Sequence, residues 1–119
     1  MVERELYMKQ IRPFIGQDLV KILTGIRRCG KSMMLELIKQ ELQVQGISSK
    51  QMLAYNFESM SNMHLCTAEK LHAEILQQVQ DLEGKVYLFF DEIQEVKQWE
   101  KAVNSFRVEL DCDIYITGS

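Results

Sequence analysis

At 119 residues, with 46% hydrophobic and 26% charged side chains, the chain has the size and composition of one soluble globular domain that buries its own core. A formal net charge of −3 provides no basic footprint for nucleic acid on this segment, no apolar run approaches membrane-spanning length, and no signal-peptide pattern opens the chain. Three scattered cysteines, Cys29, Cys66 and Cys112, suit a reducing cytoplasm better than a disulfide framework or a zinc site.

From the N-terminus, Leu6, Ile11, Phe14 and Ile15 among charges predict a helix over 3–15, closed near Pro13-Phe14, within a helical lead-in spanning 1–17. Gly16-Gln17-Asp18 turns the chain into a short buried strand over 19–24. A helix is expected from about 31 to 45, with Met34, Leu35, Ile38 and Leu42 on one face and Gly46 as its stop. Residues 52–57 read as a second strand and 58–65 as a loop, with Ser59, Ser61 and Asn62 as turn formers. Ala68, Leu71, Ile75, Val79 and Leu82 recur at three- and four-residue spacing, predicting a helix over 67–82 that Thr67 can cap. Gly84 breaks that pattern before Val86-Tyr87-Leu88-Phe89-Phe90, the most hydrophobic run in the chain. Trp99, Ala102, Val103, Phe106 and Leu110 mark a further helix, and 113–117 is the last strand. Strands alternating with helices, two of the strands near-continuously apolar, imply a parallel sheet covered on both faces. The chain therefore reads as one α/β unit.

Between the first strand and the first core helix lies Gly25-Ile26-Arg27-Arg28-Cys29-Gly30-Lys31-Ser32, which fits the pattern Gly, four residues, Gly-Lys-Ser of a phosphate-binding loop. Glycines at both ends let the backbone turn tightly and aim consecutive N–H groups at phosphate oxygens. Lys31 adds a point positive charge at the β- and γ-phosphates, and the Ser32 hydroxyl can join a Mg²⁺ shell. A strand before the loop and a helix N-terminus after it form the context that separates this motif from a Gly-rich surface turn. Candidate nucleotide-binding residues are Gly25, Ile26, Arg27, Arg28, Cys29, Gly30, Lys31, Ser32 and Met33.

The second constellation is Asp91-Glu92, directly after the apolar third strand. Two acids at the carboxyl end of a buried strand are costly unless they face a ligand or metal, and in an open α/β sheet that end is where ligands bind. Asp91 is the candidate for the Mg²⁺ shell, directly or through water, and Glu92 for the base that orients or activates an attacking water. The competing reading is a solvated acidic turn. Catalytic candidates are thus Glu92 and Lys31, and metal candidates Ser32 and Asp91.

The segment Gly25 to Ser32, the run Tyr87 to Val96 with Trp99-Glu100, and the ending Asp113 to Ser119 closely resemble a prokaryotic AAA-type P-loop ATPase family whose members often carry a nuclease-like C-terminal domain. The resemblance covers nearly everything from about residue 18 onward. It implies a three-layer P-loop NTPase core with a parallel sheet, truncated after the fourth core strand, so that 18–119 is a partial AAA-type domain and the chain an N-terminal piece of a longer protein. It further implies that 25–32 is Walker A, that 87–92 is Walker B, and that 113–117 is the sensor strand, with its polar sensor at or just beyond Ser119. Asn56 corresponds to a polar residue that holds the Walker B glutamate until ligand binds, although a loop-capping Asn is an equal reading. Arg27 and Arg28 look typical of the family's loop and contact phosphate, a neighbour or solvent; Arg107 is a candidate arginine finger. Lys97-Gln98 stands where relatives often have Pro-Gly.

The leading expectation is an ATP- and Mg²⁺-dependent ATPase core that moves an attached domain, in the cytoplasm and away from membranes. The family's strand order 5-1-4-3-2 would leave the first strand on an edge, predicting self-association through 19–24. A protein or nucleic-acid client would act through regions beyond this chain. A nucleotide-binding switch with little or no hydrolysis is the alternative. A GTPase or small-molecule kinase sharing the loop is disfavoured, because Asp91 is followed by Glu-Ile-Gln, no Asn-Lys-x-Asp base reader is present, and no kinase lid is supplied.

Overall fold

The computed structural model describes residues 20–23 and 28–118, the side chains of 28–32 excepted. The expected helix at 3–15 and lead-in 1–17, the loop positions Gly25, Ile26 and Arg27, and Ser119 lie outside the described residues.

Four strands, β1 (Val20–Leu23), β2 (Met52–Asn56), β3 (Val86–Asp91) and β4 (Cys112–Thr117), form one sheet in the order β1-β4-β3-β2. All three pairings are parallel. The helices α1 (Arg28–Val44), α2 (Ala68–Val79) and α3 (Trp99–Glu109) supply the crossovers. Two-residue alternation along β3 and β4 divides the core by face. Tyr87, Phe89 and Tyr115 meet Leu35, Ile38 and Leu42 of α1. Val86, Leu88, Phe90, Ile114 and Ile116 meet Leu71 and Ile75 of α2 with Val103 and Phe106 of α3. The result is three layers, with β3 and β4 buried at every position. Phe89 stacks on Tyr115 at 5.1 Å between centroids, tying the two central strands on the α1 side.

The α1 terminus shows how local chemistry sets an element's length. Gly46 takes φ 97°. Its N–H donates to Gln43 O at 3.0 Å, and the Ile47 N–H donates to Leu42 O at 2.9 Å, the paired bonds of a Schellman stop. Ile47 then packs on the cluster that contains Leu42.

Several boundaries differ from expectation. The first core helix starts at Arg28, three residues before the expected 31, so the second half of the Gly-Lys-Ser motif is helical. Residues 58–65 are not an open loop: Met60–Leu65 forms a 3₁₀ helix whose N-cap Ser59 accepts from Ser61 N. The helix expected over 67–82 ends at Val79, while Leu82 still packs on the core. Thr67 does cap it, its side chain accepting from Lys70 N.

The first strand is not uniformly buried as expected. Ile22 is 55% exposed and Lys21 is 8% exposed. Ile22 points to the face that α2 and α3 cover, at the margin of the sheet, whereas Lys21 points to the α1 face over β4. There the Lys21 ammonium pairs with Asp113, and the Tyr115 hydroxyl donates to the same carboxylate. Asp113 is fully buried, so this pair satisfies a charge that hydrocarbon would not tolerate.

Candidate nucleotide site at the carboxyl edge of the sheet

Parallel pairing brings all four strand C-termini to one edge. Leu23 is in register with Thr117, Phe90 with Ile116, and Asn56 with Asp91, so Leu23, Thr117, Asp91 and Asn56 form one row. By the two-residue period these four share the face covered by α1. Helix α1 begins at Arg28 beyond the segment 24–27 that follows β1, which sets the positive end of its dipole at this edge. A cavity of about 330 Å³ opens alongside, lined by Leu35, Glu36, Lys39, Ala54, Tyr55, Asn56, Phe89 and Asp91.

The acid pair is buried, Asp91 at 8% and Glu92 at 4% exposure, so it is not a solvated turn. Thr117 organises it. Its hydroxyl donates to Asp91 Oδ1 and accepts the Glu92 backbone N–H at 3.0 Å. One hydroxyl thereby links the carboxylate at the end of β3 to the backbone of the residue after it. Glu92 adopts the left-handed conformation, φ 57° and ψ 53°, which is uncommon for a residue with a Cβ and concentrates at functional turns. The next residues close a 3₁₀ turn over Ile93–Glu95, with Ile93 buried, and the Gln94 side-chain amide donates to Glu92 Oε1 at 3.0 Å. Gln98 is also left-handed at φ 58°, which explains why glycine suits this position.

Asn56 sits in the row, with a loop-capping role: its Oδ1 accepts from Glu58 N at 3.0 Å. Its carbonyl accepts from Ser59 N at 3.1 Å and from Asn62 Nδ2 at 3.0 Å. The Phe57 N–H donates to Asp91 O at 3.0 Å, so the β2–α2 connection is tied to the same corner.

Of the other candidates, Arg28, Cys29, Gly30, Lys31 and Ser32 lie in the first turns of α1, and Met33 follows with 49% exposure. Arg107 lies in α3 on the opposite face, lining a cavity of about 420 Å³ with Val20, Val108 and Ile114. Among the described residues no group of three or more His, Cys, Asp or Glu could hold a metal.

Residues 17–119 match the AAA domain family. The chain belongs to the AAA domain family. It is therefore an ATPase-like nucleotide-binding domain, and the AAA core explains the parallel sheet and its strand order. An uncharacterized protein of Haemophilus influenzae (strain ATCC 51907 / DSM 11121 / KW20 / Rd) is 40% identical over 119 residues, covering 100% of this chain. The chain spans 30% of that relative's length. No solved structure matches. No helix among the described residues is long and apolar enough to cross a membrane.

Four polar partnerships are not legible in the AAA-type pattern. Thr117 was visible only as a strand residue; its offset from Asp91 becomes informative once β3 and β4 are known to be adjacent. Lys21 and Asp113 are 92 positions apart, and nothing local pairs them. His72 meets Glu109 at 2.8 Å and stacks on Phe106, linking α2 to α3. Burial, and then the Glu74 carboxylate that its hydroxyl meets at 3.2 Å, push the Tyr55 phenol up, so it remains a neutral donor beside the cavity.

Proposed function

We propose that this AAA domain binds ATP with Mg²⁺ and hydrolyses it, the nucleotide state moving an attached domain or partner. The observation that carries the reading is the buried Asp91-Glu92 corner, braced by Thr117 on the α1 face beside the start of α1. In this reading the amides and side chains of 25–33 cradle the phosphates, and Lys31 neutralises the β- and γ-oxygens. Ser32 and Asp91 would hold Mg²⁺, directly or through water. A hydroxyl and a carboxylate are the hard oxygen donors that this ion takes. When bound, Mg²⁺ supplies charge neutralisation at the phosphate oxygens.

Glu92 accepts a proton from water as the water oxygen attacks the γ-phosphorus. The bond from that phosphorus to the bridging oxygen breaks, and its electron pair stays on ADP. Asn56 Oδ1 serves the loop cap, so a hold on Glu92 would use the Asn56 amide nitrogen. Ser119 is the proposed polar sensor beyond β4. The AAA-type domain at 18–119, a cytoplasmic setting, self-association along β1 and a client acting through further regions complete the proposal. The alternative is a molecular switch that binds nucleotide and hydrolyses it little or not at all.

Calorimetric titration of ATP, GTP and ADP with Mg²⁺, followed by phosphate release, separates these readings. Lys31→Ala should weaken ATP binding about tenfold or more, the loss of a charge-assisted contact. Unchanged affinity in that variant would remove the loop assignment. Tight ATP binding without phosphate release would select the switch.

A further inference from the structure

We infer that Gln94 is a positioning residue that orients the Glu92 carboxylate, and that Gly118 is the clearance that lets it do so. The inference rests on the proposed role of Glu92 as the base. One backbone conformation and two hydrogen bonds fix Glu92. Its backbone is left-handed, at φ 57° and ψ 53°. Its N–H is pinned to the Thr117 hydroxyl at 3.0 Å. Its Oε1 accepts from Gln94 Nε2 at 3.0 Å. The backbone therefore sets where Glu92 starts, and the Gln94 amide is a contact that orients its carboxylate. Gln94 reaches this geometry because the 3₁₀ turn over Ile93–Glu95 folds it back toward the residue two before it.

The far side of the Gln94 amide faces Gly118, the residue after β4. A Cβ built at Gly118 would come within 3.0 Å of Gln94 Oε1 and 3.5 Å of Ile93 Cγ2. A Cβ there would press on the end of the flexible Gln94 side chain, which would have to give by a few tenths of an ångström. Gly118 directly follows β4 and its Thr117, so β3 and β4 jointly aim one carboxylate. A base must lie within hydrogen-bond reach of the proton it takes, and small misplacements are costly in rate.

The test is steady-state phosphate release, with ATP affinity by titration, for the wild-type protein, Gln94→Ala, Gln94→Glu, Gly118→Ala, Glu92→Gln and the Glu92→Gln/Gln94→Ala pair. Gln94→Glu preserves size and replaces the donor with a carboxylate, so a packing role would survive it. Gln94→Ala should lower kcat about tenfold with KM for ATP within about twofold, and Gln94→Glu should lose at least as much. Gly118→Ala should lower kcat in the same direction by a smaller factor. In the Glu92→Gln background Gln94→Ala should cost nothing further, because its effect passes through that carboxylate. Wild-type kcat in Gln94→Glu, or an undiminished loss in the Glu92→Gln background, overturns the inference while Glu92 keeps its role. Wild-type turnover in Glu92→Gln overturns both.

Discussion

A single hydroxyl carries much of the chemistry at the carboxyl edge. Thr117 donates to one acid and accepts from the backbone of the next, in a place where water cannot substitute. Replacing it by valine keeps the shape and removes both bonds. Thr117→Val should destabilise the protein by about 1–3 kcal/mol, because a buried carboxylate and a buried N–H lose a partner together. Urea unfolding checks this; Thr117→Ser should recover most of the loss, and a wild-type midpoint in Thr117→Val would contradict the bracing role. The contrast with Asn56 is informative. The AAA resemblance offers Asn56 equally as a holder of the Walker B glutamate and as a loop cap, and it stands in register with Asp91. Its side-chain oxygen closes its own loop, as asparagines do after strands.

At the scale of elements, periodic apolar patterns were easy to read and polar exceptions were not. Leu71 and Ile75 of α2, and Ala102, Val103 and Phe106 of α3, are buried as their spacing requires. Gly46 stops α1 because the chain needs a positive φ there. What escaped was the start of α1, where Arg28-Cys29-Gly30 carries no apolar period to announce a helix, and the 3₁₀ turn at Met60–Leu65, too short to show one. The ion pair between β1 and β4 also escaped, since pairing depends on strand order rather than on neighbours in sequence. Lys21→Met should cost about 3–5 kcal/mol by stranding Asp113 in the core. The double change Lys21→Met with Asp113→Leu should restore most of that stability in chemical denaturation. A single-variant cost below about 1 kcal/mol would mean that the pair does not anchor β1.

At the scale of the whole molecule, the strand order β1-β4-β3-β2 sets β1 on a margin among the described residues, with Ile22 exposed. The alternating strands and helices made the parallel α/β class legible, but the order of strands came from the AAA resemblance, because periodicity carries no information about neighbours. An apolar margin strand recruits another segment or chain. Sedimentation velocity on this chain should therefore show concentration-dependent association, weakened by Ile22→Lys. A monomer at every concentration would contradict association through that margin.

The same edge geometry makes hydrolysis the decisive property, since loop, acids and Thr117 could also serve a silent switch. Single-turnover and steady-state phosphate release from ATP, compared between wild type and Glu92→Gln at matched occupancy, is the most direct test. Turnover reduced about 10²–10⁴-fold in the variant with ATP affinity retained is the expected result for a base acting on water. Equal turnover in the two proteins would contradict it and leave Glu92 as a structural acid in a nucleotide-binding domain.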